Sequence, residues 1–309
     1  MFAKPWALRT INNDNIPIKK RLDIIMANFD FTGKVVFITG AAGGIGAACA
    51  REFYRHGANL VLTDLGADAI DKIAKDFDPA RVLSQTLDVT DMGATKIVIA
   101  NSIERFGRLD IVFANAGVAW QTPKTIATAD EAEFERIIEI DLLGVWRTVR
   151  AALPEIIKAN GQILVTSSVY AFGNGVINAP YAMSKAGVES FGRSLRAELA
   201  GTGTTASVLY PGWIKTPMTR IAFGANATAS ELVETAFPRS LRRLITPETV
   251  ATAVMLGLSK RAPRIIVPRR WAPISALRGL LNMYTDRMFD KRTDLQQLVR
   301  RAEADLSKE

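Results

Sequence analysis

The sequence contains 309 residues, of which 48% are hydrophobic, and it has a formal net charge of +8 with one cysteine and one histidine. The single cysteine, Cys49, excludes an intramolecular disulfide, and the single histidine, His56, argues against a Ser-His-Asp triad and against metal sites built on His or Cys. Residues 260–309 contain twelve Lys or Arg and six Asp or Glu, and thus account for +6 of the net charge. The nearly neutral remainder argues against a nucleic-acid-binding core. We predict no metal site.

The hydrophobic residues are not concentrated in a segment that would cross a membrane. No apolar run approaches the roughly 18 residues that a transmembrane helix needs, and the N-terminus lacks an apolar stretch typical of a secretory signal. We therefore expect a cytoplasmic protein. No Gly/Ser-rich or Pro-rich linker divides the chain, which favours one domain over 32–268, an N-terminal extension over 1–31 and a basic, helical C-terminal extension over 269–309.

The first regular segment predicts a βαβ unit. Val35–Thr39 is a short apolar run typical of a buried parallel strand, a glycine-rich turn over 40–46 follows it, and a helix then reaches about His56 before a second strand, Asn59–Asp64. Glycines in such a turn let backbone N–H groups approach a pyrophosphate at the positive end of a helix. This order predicts a dinucleotide site rather than a plain turn.

Asp64 ends the second strand and bears on the choice of dinucleotide. A carboxylate there can accept hydrogen bonds from ribose hydroxyls and would repel a phosphate, and the glycine turn contains no Arg or Lys. We predict NAD over NADP. The alternative is that Asp64 caps the next helix.

Strand-like and helix-like stretches alternate through the rest of the chain. Strands are predicted at 82–87, 109–114, 162–167, 205–209 and 264–267, and helices at 92–106, 131–152, 180–200 and 247–259 with Thr246 as N-cap. This alternation predicts a single-domain α/β fold, a Rossmann-type doubly wound parallel sheet of about seven strands with helices on both faces. Cofactor and substrate should meet at the carboxyl ends of the strands.

The predicted helix at 180–200 places Tyr181 and Lys185 one turn apart on the same face, and Ser168 lies thirteen residues upstream. A cation beside a phenol favours the ionised form and lowers its pKa toward the range useful for acid–base catalysis. In isolation, the same spacing also fits an ordinary solvated pair.

Several motifs in order resemble the short-chain dehydrogenase/reductase (SDR) family over about residues 32–268. They are Thr39-Gly40-Ala-Ala-Gly-Gly44-Ile-Gly46, Asp88-Val89-Thr90, Asn115-Ala116-Gly117, the set Ser168, Tyr181 and Lys185, and Pro211-Gly212 with Ile214 and Thr216. The resemblance implies catalysis by Ser168, Tyr181, Lys185 and Asp141. It implies cofactor binding by Thr39, Gly40, Gly44, Ile45, Gly46, Asp64, Asp88, Val89, Asn115, Ala116, Gly117, Tyr181, Lys185, Pro211, Gly212, Ile214 and Thr216.

One catalytic position departs from the family pattern. The family usually has an Asn in a Val-Asn-x-x-Gly setting, and here the residues are Ile140-Asp141-Leu142-Leu143-Gly144. In the family the backbone carbonyl of that residue holds a water of the proton relay, which an Asp could preserve.

The resemblance also implies a reaction and a quaternary structure. Tyr181 would exchange a proton with the alcohol or ketone oxygen while a hydride moves to or from nicotinamide, Ser168 would hold that oxygen, and Lys185 would bind nicotinamide ribose hydroxyls and lower the tyrosine pKa. The chain would be a homodimer or homotetramer packed through its long helices.

Aromatic and aliphatic residues near the expected cleft indicate a hydrophobic alcohol or ketone of the steroid, retinoid or long-chain type. They are Val169, Tyr170, Phe172, Val176, Trp213 and Met218, although core packing would also explain several of them. In the C-terminal extension, Ile274, Leu277, Leu281, Tyr284 and Met288 form one helical stripe. With Trp271 and nearby arginines, this stripe fits peripheral membrane contact through 269–290, or else a helix that covers the cleft or a subunit interface.

Two functions of other kinds share parts of these motifs. A non-catalytic NAD(H)-binding regulator or scaffold would tolerate Asp141, but it would not need the intact Ser168, Tyr181 and Lys185. A sugar-nucleotide epimerase or dehydratase shares the Tyr and Lys pair, but it normally has a differently spaced glycine turn and a larger substrate domain.

Overall fold

The computed structural model describes residues 30–120, 124–219 and 227–304, so the predicted N-terminal extension lies almost wholly outside the described residues. Within these ranges the sheet has seven parallel strands in the order β3-β2-β1-β4-β5-β6-β7. The strands are β1 Val35–Thr39, β2 Asn59–Asp64, β3 Val82–Thr86, β4 Ile111–Ala114, β5 Gln162–Thr166, β6 Thr205–Pro211 and β7 Arg264–Val267. All seven predicted strands are present, with ends that differ by at most two residues.

Helices cover both faces of the sheet, which confirms the predicted doubly wound fold. They are α1 Gly44–Arg55, α2 Ala67–Ala74, α3 Met92–Phe106, α4 Glu131–Ile138, α5 Gly144–Lys158, α6 Ala179–Glu198, α7 Ala227–Ala236, α8 Arg239–Arg242, α9 Pro247–Ser259, α10 Ala272–Lys291 and α11 Thr293–Ala304. Thr246 caps α9 as predicted, since its side chain accepts a hydrogen bond from the Thr249 N–H.

The central strands are apolar because both of their faces are covered. In β1, Val36 and Ile38 pack in the hydrophobic cluster under α1 and α9, whereas Val35 and Phe37 pack in the cluster under α3, α5 and α6. Side chains alternate between faces along a strand, so this single strand supplies both cores.

The predicted continuous helix over 131–152 is wrong in one respect. A π-helical segment, Glu139–Leu143, separates α4 from α5, and α5 continues to Lys158, beyond the predicted end. Such segments insert one extra residue in a turn and occur frequently at functional sites. Asp141 lies within this segment and is fully buried.

The C-terminal stripe divides between two environments in α10. Ile274, Leu281, Tyr284 and Met288 line a cavity. Tyr284 is nevertheless 69% exposed, and Leu277, which does not line the cavity, is 54% exposed. Trp271 is only 3% exposed and packs against Trp213 at a ring-centroid distance of 6.0 Å. Trp271 therefore does not serve as the membrane anchor that the sequence suggested.

Within the described ranges, no helix combines the length and the apolar character needed to cross a membrane.

Candidate active site

A cleft of about 450 Å³ lies across the carboxyl ends of the central strands. The structure brings most of the predicted site residues to its walls: Gly40, Gly44, Ile45, Asp64, Asp88, Val89, Asn115, Ala116, Gly117, Asp141, Ser168, Tyr181, Lys185, Pro211, Gly212, Ile214 and Thr216. Thr39 and Gly46 are not among the lining residues. They pack against residues that do line it: Thr39 contacts Asn115 and Ala116, and Gly46 lies against Gly40 and Asn115.

The glycine turn is closely packed against the loop after β4. Gly40 has a φ of 65°, and a Cβ at this position would lie 2.8 Å from the Ala116 Cα atom. A Cβ on Gly46 would lie 2.2 Å from the Gly40 carbonyl oxygen. The Thr39 hydroxyl accepts hydrogen bonds from the N–H groups of Asn115 and Ala116, at 3.0 and 3.1 Å. Because the glycines carry no side chain, the backbone of the turn is uncovered along the cleft. Binding of a pyrophosphate by backbone N–H groups requires such a surface.

Asp64 stands beside this turn at the end of β2. Its Oδ2 accepts from the Ala42 N–H at 2.9 Å, and its Oδ1 accepts from the Leu65 N–H at 2.8 Å. The N-cap of α2 is Gly66, so the alternative capping role for Asp64 is wrong. The carboxylate is held in place by backbone and faces the cleft.

Tyr181 and Lys185 lie in the first two turns of α6, with Ser168 at the start of the turn after β5. The Lys185 Nζ atom is 5.3 Å from the Tyr181 ring centroid and 3.4 Å from the Thr166 carbonyl oxygen, to which it donates a hydrogen bond. The Ser168 hydroxyl accepts a hydrogen bond from the Tyr170 N–H at 3.2 Å and acts on the Tyr181 phenol, whose pKa it lowers. The predicted trio is therefore assembled at one end of the cleft.

Asp141 adds a negative charge beside this trio. Its Oδ2 atom lies 2.9 Å from Lys185 Nζ, and its Oδ1 accepts a hydrogen bond from the Val118 N–H at 2.7 Å. The Asp141 side chain is 0% exposed and that of Lys185 is 4% exposed. The sequence analysis assigned a role to the backbone carbonyl of Asp141. It did not predict the buried ion pair between the Asp141 side chain and Lys185.

The charges around the phenol oppose one another. Burial raises the pKa of Tyr181 above its ordinary value and the Asp141 carboxylate adds to this rise, while Lys185 and the Ser168 hydroxyl lower it. The net direction is opposite to the lowering that the sequence predicted from Lys185 alone. Burial also raises the pKa of Asp141, against the effects of Lys185 and the Val118 N–H. For Lys185, burial lowers the pKa, but Asp141 and Tyr181 outweigh it and raise the value.

The cleft also contains a cation that the sequence did not reveal. Arg136 of α4 lines the cleft and acts on the charge of Asp141. It lies outside the sequence motifs that indicated the site, so no motif signal pointed to it.

A second cavity, also of about 450 Å³, lies beside the turn after β5, directly after Ser168, and is predominantly apolar. Its walls include Val169, Tyr170, Phe172, Val176 and Trp213, as predicted from the sequence, together with residues from α7 and α10. Met218, predicted for the same wall, lines the first cleft instead. Tyr170 lines the second cavity, and its ring meets the Tyr181 ring of the first cleft at a centroid distance of 5.6 Å and an interplanar angle of 83°. We call this space the apolar chamber.

Residues 34–226 match the sequence model of the family described as short chain dehydrogenase. The chain belongs to the short-chain dehydrogenase family. It is 37% identical over 225 residues to the oxidoreductase UcpA of Salmonella typhimurium. The match covers 70% of this chain and 84% of UcpA. It is 33% identical over 230 residues to the meso-2,3-butanediol dehydrogenase of Serratia marcescens, covering 74% of this chain and 88% of that enzyme.

A solved structure supports the same fold. The short-chain dehydrogenase/reductase of Burkholderia phymatum, crystallised in complex with NAD, is similar with a TM-score of 0.70 at 24% identity, covering 81% of this chain and 94% of that chain. At this identity the likeness concerns the fold. Together with the family match, it confirms the family resemblance and the Rossmann-type architecture.

As a short-chain dehydrogenase, the chain is an NAD(P)-dependent oxidoreductase. The cleft fits such a cofactor: its volume lies within the range of about 300–1,000 Å³ typical of ligand pockets. At the glycine wall, a side chain on Gly40 or Gly46 would collide with backbone, so the backbone itself borders the cleft. Family members commonly form oligomers and act on small molecules.

Proposed function

We propose that this short-chain dehydrogenase interconverts a hydrophobic secondary alcohol and its ketone, of the steroid, retinoid or long-chain type, with NAD as the preferred cofactor. The observation that carries the substrate class is the apolar chamber beside Ser168 and Tyr181. Aromatic and aliphatic side chains form most of its wall, among them Phe172, Trp213 and Leu281. A chamber of this size and composition favours a ligand whose bulk is apolar.

The residues of the trio would divide the acid–base work. A nicotinamide cofactor held in the cleft would supply the acceptor or donor of the hydride. Tyr181 takes the proton from the alcohol oxygen, or returns it to the ketone oxygen, and Ser168 donates a hydrogen bond that stabilises charge on the same oxygen. Lys185, held by Asp141 and the Thr166 carbonyl, directs its ammonium toward the phenol and toward the cofactor side of the cleft.

Asp64 supports the preference for NAD. Its carboxylate lines the cleft at the end of β2, where it can accept hydrogen bonds from ribose hydroxyls. Leu65, which follows it along the cleft, brings no positive charge for a phosphate. A phosphate placed beside Asp64 would meet a like charge that two backbone N–H groups hold in position.

Two surface features support further partners. Ile97 of α3 and Trp146 and Ile157 of α5 are exposed on neighbouring long helices, as a homodimer or homotetramer interface would require. On α10, Leu277, Leu280, Met283 and Tyr284 are exposed close to Arg287 and Lys291. An apolar helix face with basic residues suits peripheral contact of a cytoplasmic protein with an anionic membrane.

The function is tested by measuring NADH and NADPH formation with purified protein and a panel of secondary alcohols that differ in apolar bulk. We expect turnover with bulky lipophilic alcohols and NAD, and at least about tenfold lower kcat/KM with NADP, since a phosphate beside Asp64 is repelled. Turnover confined to small polar alcohols would contradict the substrate class. Equal use of both cofactors would contradict the role of Asp64.

A further inference from the structure

We infer that Asp141 is a positioning residue that neutralises Lys185 and thereby keeps Tyr181 in its protonated form at neutral pH, so that the enzyme is set for ketone reduction. This inference rests on the proposed function and specifies its favoured direction. It concerns the side chain of Asp141, whereas the family pattern gives a role to the backbone at this position.

The local geometry selects a carboxylate. One oxygen of Asp141 accepts from the Val118 N–H at 2.7 Å, and the other lies 2.9 Å from the Lys185 ammonium. Both neighbours are donors, and a carboxylate has an acceptor for each of them. An Asn has one acceptor oxygen, so its NH2 group would face one of the two donors. The site is therefore complementary to an ionised Asp.

The groups that act on Tyr181 come from three elements. Lys185 lies on the same helix, Asp141 lies on the π segment, and Tyr170 and the Ser168 hydroxyl come from the turn after β5. Arg136 of α4 acts on Asp141. Burial strongly raises the pKa of Tyr170, so its phenol stays neutral. The Asp141 charge, 2.9 Å from the Lys185 ammonium, offsets part of the stabilisation that a lone ammonium would give the ionised phenol.

The protonation state of Tyr181 sets the direction of proton transfer. A phenol can give its proton to a ketone oxygen at neutral pH, whereas alcohol oxidation needs the phenolate. Removing the Asp141 charge leaves Lys185 uncompensated, which favours the phenolate at lower pH. Oxidation should then begin at lower pH, and reduction should be lost at lower pH.

The first test is a direct titration that needs no turnover. Near-ultraviolet absorbance of tyrosinate is followed against pH in the cofactor-free protein and in Asp141→Asn, and in each the signal of the matching Tyr181→Phe protein is subtracted to isolate Tyr181. We expect the Tyr181 midpoint to fall by about one pH unit or more in Asp141→Asn. Glu139→Gln is the matched control, since Glu139 lies in the same π segment but pairs with Arg147 at 2.7 Å. An unchanged or higher midpoint in Asp141→Asn would overturn the inference.

The second test follows kcat against pH in both directions for the same proteins. In Asp141→Asn we expect the rising limb of oxidation and the falling limb of reduction to move to lower pH together. A uniform loss of rate at every pH, with both limbs unmoved, would indicate a merely structural role and overturn the inference. If the wild-type protein titrates as expected but turns over no alcohol or ketone in the panel, the proposed substrate class fails while the effect of Asp141 on Tyr181 stands.

Discussion

At the scale of single residues, the proposed proton transfer depends on the phenol of Tyr181. Replacing Tyr181 with Phe keeps the ring and its packing against Tyr170 but removes the hydroxyl group. We expect kcat to fall by about 10²–10⁴-fold in both directions, the usual contribution of a positioned acid–base group, with cofactor affinity unchanged. Steady-state kinetics and a fluorescence titration with NADH measure the two quantities. Tyr54→Phe on α1 is the control, and an equal loss of rate and cofactor affinity in Tyr181→Phe would contradict this role.

A second residue, Asp110, stabilises the start of the sheet. Its carboxylate is buried and accepts from the Val35 N–H at 3.0 Å, from Lys34 Nζ at 3.1 Å and from Arg108 Nε at 2.7 Å. Burial opposes the ionised form, but these donors outweigh it and hold the pKa of Asp110 below its ordinary value. The stabilisation is therefore fully present above the pKa of an unfolded Asp and is lost as the pH falls through the folded value.

Asp110→Asn should lower the free energy of unfolding by about 2 kcal/mol at neutral pH, because charge-assisted hydrogen bonds are lost in a buried setting. The difference from the wild-type protein should shrink as the pH drops below about 4. Urea unfolding at several pH values measures both. The exposed Arg51–Asp76 pair, at 2.9 Å, provides the control, and Asp76→Asn should change the free energy of unfolding by less than about 1 kcal/mol. A difference that stays constant with pH would contradict the ionic role of Asp110.

At the scale of elements, α10 presents one face to the apolar chamber and another to solvent. Leu281 lines the chamber, while its neighbour Leu280 is 72% exposed. Leu281→Trp should fill part of the chamber and raise KM for a bulky ketone by about tenfold or more, with a small ketone little affected. Leu280→Trp adds the same side chain outside the chamber, and both KM values should stay at the wild-type level. Equal effects of the two variants would show that the chamber does not hold the substrate.

The same helix shows where sequence reasoning reaches its limit. The periodicity of Ile274, Leu281 and Met288 correctly predicted a helix, but Leu277 of the same stripe does not line the chamber, and Tyr284 lines it while remaining 69% exposed. Periodicity reports amphipathic character, and it does not report which apolar side chains find a partner. That choice depends on α7 and on the turn after β5, which approach α10 only in the folded chain.

The strands and the glycine turn were more predictable because their signals are local. Apolar runs such as Val35–Thr39 must be buried on both faces, and the close approach of Gly40 to Ala116 needs a glycine whatever surrounds it. The ion pair of Asp141 with Lys185 joins residues 44 positions apart along the sequence, and Arg136 lines the cleft without belonging to any of the motifs. Neither arrangement produces a pattern among neighbouring residues from which it could be predicted.

At the scale of the whole molecule, the positive charge is concentrated at the C-terminal end. The last fifty residues hold +6 of the net +8 and include α10 with its exposed apolar face. We expect the protein to float with vesicles that contain anionic lipid at low salt, and to be released at about 0.5 M salt, where exposed charges are screened. Vesicles of neutral lipid are the control. Protein that remains at the bottom of the gradient with anionic vesicles would contradict the membrane contact.

The π segment also determines which changes of chain length this enzyme can tolerate. Successive residues of an α-helix are rotated by about 100° around the helix axis. The segment Glu139–Leu143 contains one residue more than an α-helical turn would use. Deleting a single residue there would restore an unbroken helix while rotating α4 against α5 by about that angle. Asp141 and Arg136 would then turn away from the cleft together, although every strand could remain in place. An insertion or deletion of one codon in this stretch would thus alter the chemistry of the site more than it would alter the fold.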